Sequence, residues 1–197
     1  IVNLRYKSCQ EMAGQDHADA AGVTRGAVYW HFSSKSELFN AMWQEQIPLR
    51  DLIHHKLKQI ECGNPLLDLR NKFVLGLQYI AETPRQRALM QILYHKCEFN
   101  SDMMSEYEIR KKIGFGYDSV RDILQDCVRN QILPKDTNIE IILIVLYSAF
   151  SGLIKNWLMA PQQFDLYHQA PLLVDNLMSA VCAQSLWSTR PALVVNQ

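Results

Sequence analysis

Between Thr24 and Lys35 the chain gathers residue types suited to gripping a polyanion. Arg25 carries a planar fork of donors that matches guanine O6 and N7. Thr24 offers a helix cap and a hydroxyl for a phosphate. Gly26 and Ala27 are small enough to let a helix approach a partner closely, and Tyr29, Trp30 and His31 are rings with polar tips. Lys35 follows at the start of the next predicted helix, where its charge and the backbone N–H groups would meet an anion. Residues 23 to 36 contain Arg25 and Lys35 and no acid, a local charge of +2. Taken as residue types alone, Tyr-Trp-His-Phe also suits packing.

A second set suits another task. Tyr147, Ser151 and Lys155 recur at i, i+4 and i+8 and share a helix face, with Phe150 and Ile154 beside them. Met90 and Tyr94 are four apart, with Gln91 and His95 on the adjoining strip. An aromatic floor with one hydroxyl and one amine suits a mostly apolar ligand held by few polar anchors. Methionine adapts its shape to varied ligands. Lys155 and Glu98 are the charged candidates, and Trp43 lies on the helix joining the first set to the second. The same stripes would equally serve as core.

Other chemistry finds little support. His95 and Cys97 are two apart, so on a helix they diverge by about 200° and make no nucleophile pair. His54 and His55 are adjacent rather than i, i+4, and the chain has no phosphate loop or nucleophile elbow. We therefore expect no enzyme, no metal and no cofactor. Cys9, Cys62, Cys97, Cys127 and Cys182 form no C-x-x-C pair and read as free thiols in a reducing cytoplasm. The start, Ile1 to Lys7, lacks the apolar run of a signal peptide. The most apolar stretch, Ile141 to Ile154, has 14 residues. That is short of the roughly 20 needed to span a bilayer, so no membrane partner is expected. Twenty basic side chains balance twenty acidic ones, which argues against a chain coated in nucleic acid by bulk charge but leaves room for a small footprint.

The elements that must position these residues are helical. At 197 residues and 48% apolar, the chain suits one large domain or two small ones. Residues 18 to 39 read as helix, tight turn at Gly22, short helix, turn at Ser33-Ser34, then a long helix. That is the form of a helix-turn-helix, whose second helix enters the DNA major groove. Ser34 to Glu37 is a capping box, followed by an apolar stripe from Leu38 to Ile60 with a bend at Pro48. Asn64-Pro65 caps the next helix, whose stripe is Leu66, Leu69, Phe73, Leu77 and Ile80. Thr83 to Gln86 and Thr137 to Glu140 read as further capping boxes, and Asp102 as a cap. Gly114-Phe115-Gly116 is a break, Pro161 a stop, and a last helix runs from about 169 to 186 with Pro171 in its first turn. The predicted fold is all-α: a DNA-binding head over residues 1–45, a larger body over 46–187 and a loose tail over 188–197.

The motif VTRGAVYWHFSSKSELF resembles the DNA-binding signature of the TetR family. ILYHKCEF and GLIKNWLMAPQQFDL resemble the ligand domain of that family's AcrR/EnvR branch, which controls multidrug efflux genes. Leu77 to Ala81 and Pro84 to Gln86 are similar to the EnvR side of the branch. The resemblance covers about residues 18 to 185. It implies a homodimer paired through helices 139–160 and 169–186, double-stranded operator DNA as partner, and a cavity for a small lipophilic ligand. Ligand and DNA would favour different separations of the two heads and so oppose one another. One departure stands out. Residues 1–17 include Gly14 and His17 where the family pattern has apolar residues, so the head is expected to lack a full first helix or to hold a degenerate one. Two rivals follow: a repressor, or a ligand-binding module with little DNA function.

Overall fold

The computed structural model describes residues 30–96 and 99–182, apart from the side chains of Lys96 and Cys182. The described residues form eight α-helices and one π-helical turn, with no strand. We number them α1 (Lys35–Gln44), α2 (Leu49–Ile60), α3 (Pro65–Glu82), α4 (Pro84–Gln91), α5 (Glu106–Ile113), α6 (Tyr117–Arg129), α7 (Ile139–Met159) and α8 (Leu166–Cys182). The π turn, Ile92–Lys96, continues α4. The all-α expectation holds. The helices predicted before residue 30 and the predicted tail lie outside the described residues.

Helix ends follow local chemistry, with differences from the sequence pattern. Ser34 caps α1 by accepting from the Glu37 N–H at 3.1 Å. The Glu37 carboxylate, however, reaches back to Ser33, accepting from its N–H and its hydroxyl at 2.6 Å each. Those bonds hold the Glu37 carboxyl below its ordinary range. Pro48 does more than bend a helix: α1 ends at Gln44 and α2 restarts at Leu49. Asn64 caps α3 as expected, accepting from Leu66 and Leu67. Thr83 makes no side-chain cap. Asn138, not Thr137, caps α7, and Glu140 is drawn instead to Arg121 at 2.8 Å. The box that closes on itself at α5 is Ser105 with Glu108, in place of the expected cap at Asp102.

Helix α8 begins earlier than predicted. Asp165 accepts from the His168 N–H at 3.0 Å and starts the helix at Leu166, which leaves Pro171 inside it. Proline has no N–H to give the carbonyl four residues back. That carbonyl, Tyr167 O, accepts instead from Gln78 Nε2 on α3 at 3.2 Å.

The core is built around α3, which packs against α2, α4, α6, α7 and α8. Its predicted stripe is buried from Leu69 through Phe73 and Leu77 to Ile80. The Phe73 ring meets Phe115 and Phe150 edge-on at 5.3 Å each. Gly76 lets the Phe115 ring lie against the backbone of α3, where a Cβ would collide with its tip. A bidentate ion pair, Arg70 with Asp175 at 2.7 and 2.9 Å, joins α3 to α8. Helix α7 has 21 residues, long and apolar enough to cross a bilayer, unlike the 14-residue stretch read from sequence. Its inward residues Ile142, Leu143, Leu146, Ile154 and Trp157 instead fill the core.

Candidate functional site

A cavity of about 160 Å³ opens between α4 with its π turn, α5, the link 114–116 and α7. Each wall has a local reason. Gly116 adopts φ of +77°, a left-handed conformation that suits glycine, and turns the chain from α5 into α6. The π turn widens the end of α4 and carries Leu93 and Tyr94 to the wall. Such turns recur at functional positions.

Five predicted ligand residues, Met90, Tyr94, Tyr147, Phe150 and Ser151, line this cavity, and Ile154 lies with them. Four others do not. Trp43 is fully buried and packs edge-on against Phe39 at 6.1 Å, in the seam between α1 and the body. Gln91 is half-buried and lies outside the lining. His95 and Lys155 are exposed, and the His95 ring N–H donates to the Lys155 carbonyl at 3.2 Å. The π turn carries His95 away from the strip that regular helical spacing assigns it. Glu98 and Cys97 lie outside the described residues.

The sequence reading missed Tyr107, Arg110, Lys111 and Tyr117, all in the lining. Helix α5 looks like a solvated charged helix, Glu-Tyr-Glu-Ile-Arg-Lys-Lys-Ile. The available signal was the spacing of Tyr107, Arg110, Lys111 and Gly114, which is i, i+3, i+4, i+7. The Arg110 guanidinium lies 4.9 Å from the centre of the Tyr94 ring. It donates to Glu106 and makes a 3.4 Å contact with the Ser151 hydroxyl.

Tyr147 stacks on Tyr117 with ring centres 3.9 Å apart. Its hydroxyl is buried and finds no hydrogen-bond partner among the described residues. Burial pushes the phenol well above its ordinary range, and Tyr117 and Asp118 add to the effect. At neutral pH the group is therefore a protonated donor without an acceptor.

The cavity wall is tied to α1. Asn40 donates to the Asp102 carbonyl at 2.9 Å and accepts from the Met104 N–H at 2.6 Å. Lys112 on α5 donates to the Gln44 carbonyl at 2.6 Å, at the far end of α1. The middle and the C-terminal end of α1 are thus held by residues 102–112, the segment that carries Arg110.

Of the predicted polyanion-binding residues, Trp30 is 86% exposed, and His31 and Lys35 are exposed. Lys35 opens α1. Thr24, Arg25, Gly26, Ala27 and Tyr29 lie outside the described residues.

Comparison with known proteins gives a consistent result. Residues 64–182 match the C-terminal region of MAATS-type transcriptional repressors, and residues 16–42 match the bacterial regulatory proteins of the tetR family. The probable acrEF/envCD operon repressor of Escherichia coli K12 is 49% identical over 83% of this chain and 74% of its own length. The transcriptional regulator AcrR of Shigella flexneri is 36% identical over 78% of this chain and 72% of its own. Among solved structures, NalD, the secondary repressor of the MexAB-OprM multidrug efflux pump in Pseudomonas aeruginosa, superposes with a TM-score of 0.67. It is 25% identical and covers 91% of this chain and 90% of its own. The relatives are transcription regulators rather than enzymes. With its helical fold and cavity, this chain belongs to the TetR family of transcriptional repressors, in the branch of AcrR and the acrEF/envCD operon repressor.

Proposed function

We propose that this protein is a ligand-responsive repressor of a multidrug efflux operon, acting in the cytoplasm as a homodimer on operator DNA. The observation that carries the reading is the double fastening of α1, through Asn40 to residues 102 and 104 ahead of α5 and through Lys112 to α5, the helix that forms one cavity wall. Helix α1 follows directly on the polyanion-binding set, so a ligand that shifts α5 shifts the base of the head. The ligand then binds one head arrangement better and DNA the other, and each weakens the other by the same factor.

Exposed apolar residues support a subunit contact on the predicted helices. Ile141, Ile144, Val145 and Met159 stand on the outer side of α7, and Leu172 on α8 is 66% exposed. Two-fold pairing of this surface would bury it against its own copy. The match of residues 16–42 to tetR-family regulators favours a repressor over a ligand module without DNA function.

The test is a selection from random duplex DNA, followed by titration of the selected site with and without 1-naphthaleneacetic acid methyl ester. An inverted repeat should emerge, bound about tenfold more weakly at saturating ester. Unchanged DNA affinity at saturation would sink ligand-responsive repression. Asn40→Ala should keep both binding events and lose most of their antagonism.

A further inference from the structure

The charged residues that line the cavity are of one sign: Arg110 and Lys111, with no aspartate or glutamate among the described lining. We propose that the cavity selects lipophilic acids, whose carboxylate pairs with Arg110 while their ring system fills the apolar interior. This rests on the ligand-binding reading above and adds the chemical class of ligand.

The geometry of Arg110 carries the inference. Its guanidinium lies over the Tyr94 ring, which fixes its plane. One nitrogen, Nη2, is held by Glu106 on the preceding turn. The other, Nη1, has only a 3.4 Å contact with the Ser151 hydroxyl, longer than a well-made hydrogen bond. That edge is open to a carboxylate, which arginine binds with more strength and directionality than a neutral acceptor. Lys111 adds a second positive charge to the same wall. A cationic ligand would face both charges. Glu106, the acid beside them, is already engaged.

The interior sets the rest of the ligand. Met90, Leu93, Phe115, Phe150 and Ile154 supply an apolar chamber of about 160 Å³. Engineered apolar cavities of about 150 Å³ take up benzene, so one or two fused rings fit the scale.

The test is calorimetric titration of the whole chain with three probes of like shape: 1-naphthaleneacetate, its methyl ester and 1-naphthylmethylammonium. The acid should bind at least about tenfold more tightly than the ester, and the cation most weakly. Arg110→Gln should erase the advantage of the acid over the ester, whereas Arg110→Lys should keep part of it. Glu106→Gln, which frees the second edge of the guanidinium, should tighten the acid alone. An ester or cation that matches the acid in the unmodified protein overturns the proposal and leaves the pocket standing. So does an acid preference that survives Arg110→Gln. If none of the three binds, the ligand-pocket reading fails and this inference fails with it.

Discussion

The two sides of α3 are built differently. On one side α2 and α8, of 12 and 17 residues, run along it, and Arg70 and Asp175 pin the contact. On the other side the chain is cut short: α4 and α5 have eight residues each, with a π turn and a glycine link between helices. Helices that short have almost no stability of their own and take their shape from what they pack against. A chamber with such pieces as movable walls against the long α7 can be reshaped by a ligand at modest cost. The α3–α8 seam resists because long packed helices must move together. The contrast assigns sensing to one side and support to the other.

The largest effect expected is on the support side. Leu69→Ala in α3, at a fully buried position, should cost about 2–5 kcal/mol, read as a fall in the urea midpoint at constant slope. A loss below about 1 kcal/mol would break the contrast. Gly76→Ala comes next, because its new Cβ meets Phe115, which lines the cavity. Overpacking should cost about 1–3 kcal/mol, and the displaced ring should lower the affinity for the naphthyl ester. If stability falls and ester affinity does not, the two sides are less linked than Phe115 suggests. Tyr147→Phe removes a buried hydroxyl that has no partner, so thermal denaturation should show no loss and at most about 1 kcal/mol of gain.

The smallest effect is electrostatic. Asp175 is half exposed, so Asp175→Asn should cost less than about 1 kcal/mol. Its pairing with Arg70 lowers the carboxyl pKa. The contribution is therefore present above the unfolded value of about 3.9 and lost as pH falls through the lower folded value. The stability gap between protein and variant should stay flat from pH 7 to about 4 and close below that. A gap that widened in acid would reverse the assignment.

Much of the frame was legible in sequence. The stripe from Leu69 to Ile80, the Asn64 cap, the break at Gly114 and the stop at Pro161 depend on residues close in the chain, and all stand in the structure. What failed depended on partners far away. Glu140 looked like part of a cap until Arg121 on α6 claimed it. Pro171 looked like a first-turn proline because the earlier start at Asp165 reads as loop. The cavity was half legible. Residues on α7 and Met90 and Tyr94 follow helical spacing into it, but Arg110 sits on a helix whose charges suggest solvent, and only the packing of α5 over Tyr94 brings its partly exposed side chain to the cavity's edge. His95 failed because the π turn breaks the period that placed it, whereas Lys155 sits one turn past Ser151 on the regular α7 and is exposed.

Pro171 has one more consequence. A helix with every backbone bond made internally can slip along a neighbour by a turn and lose none of them. Helix α8 cannot, because its Tyr167 carbonyl is satisfied from outside, by Gln78 of α3. A slip would strand that oxygen and part Arg70 from Asp175 as well. The helix is keyed to α3 the way a shaft is keyed to its hub. Under the proposed pairing through α8, rotation of α3 would pass to the partner subunit.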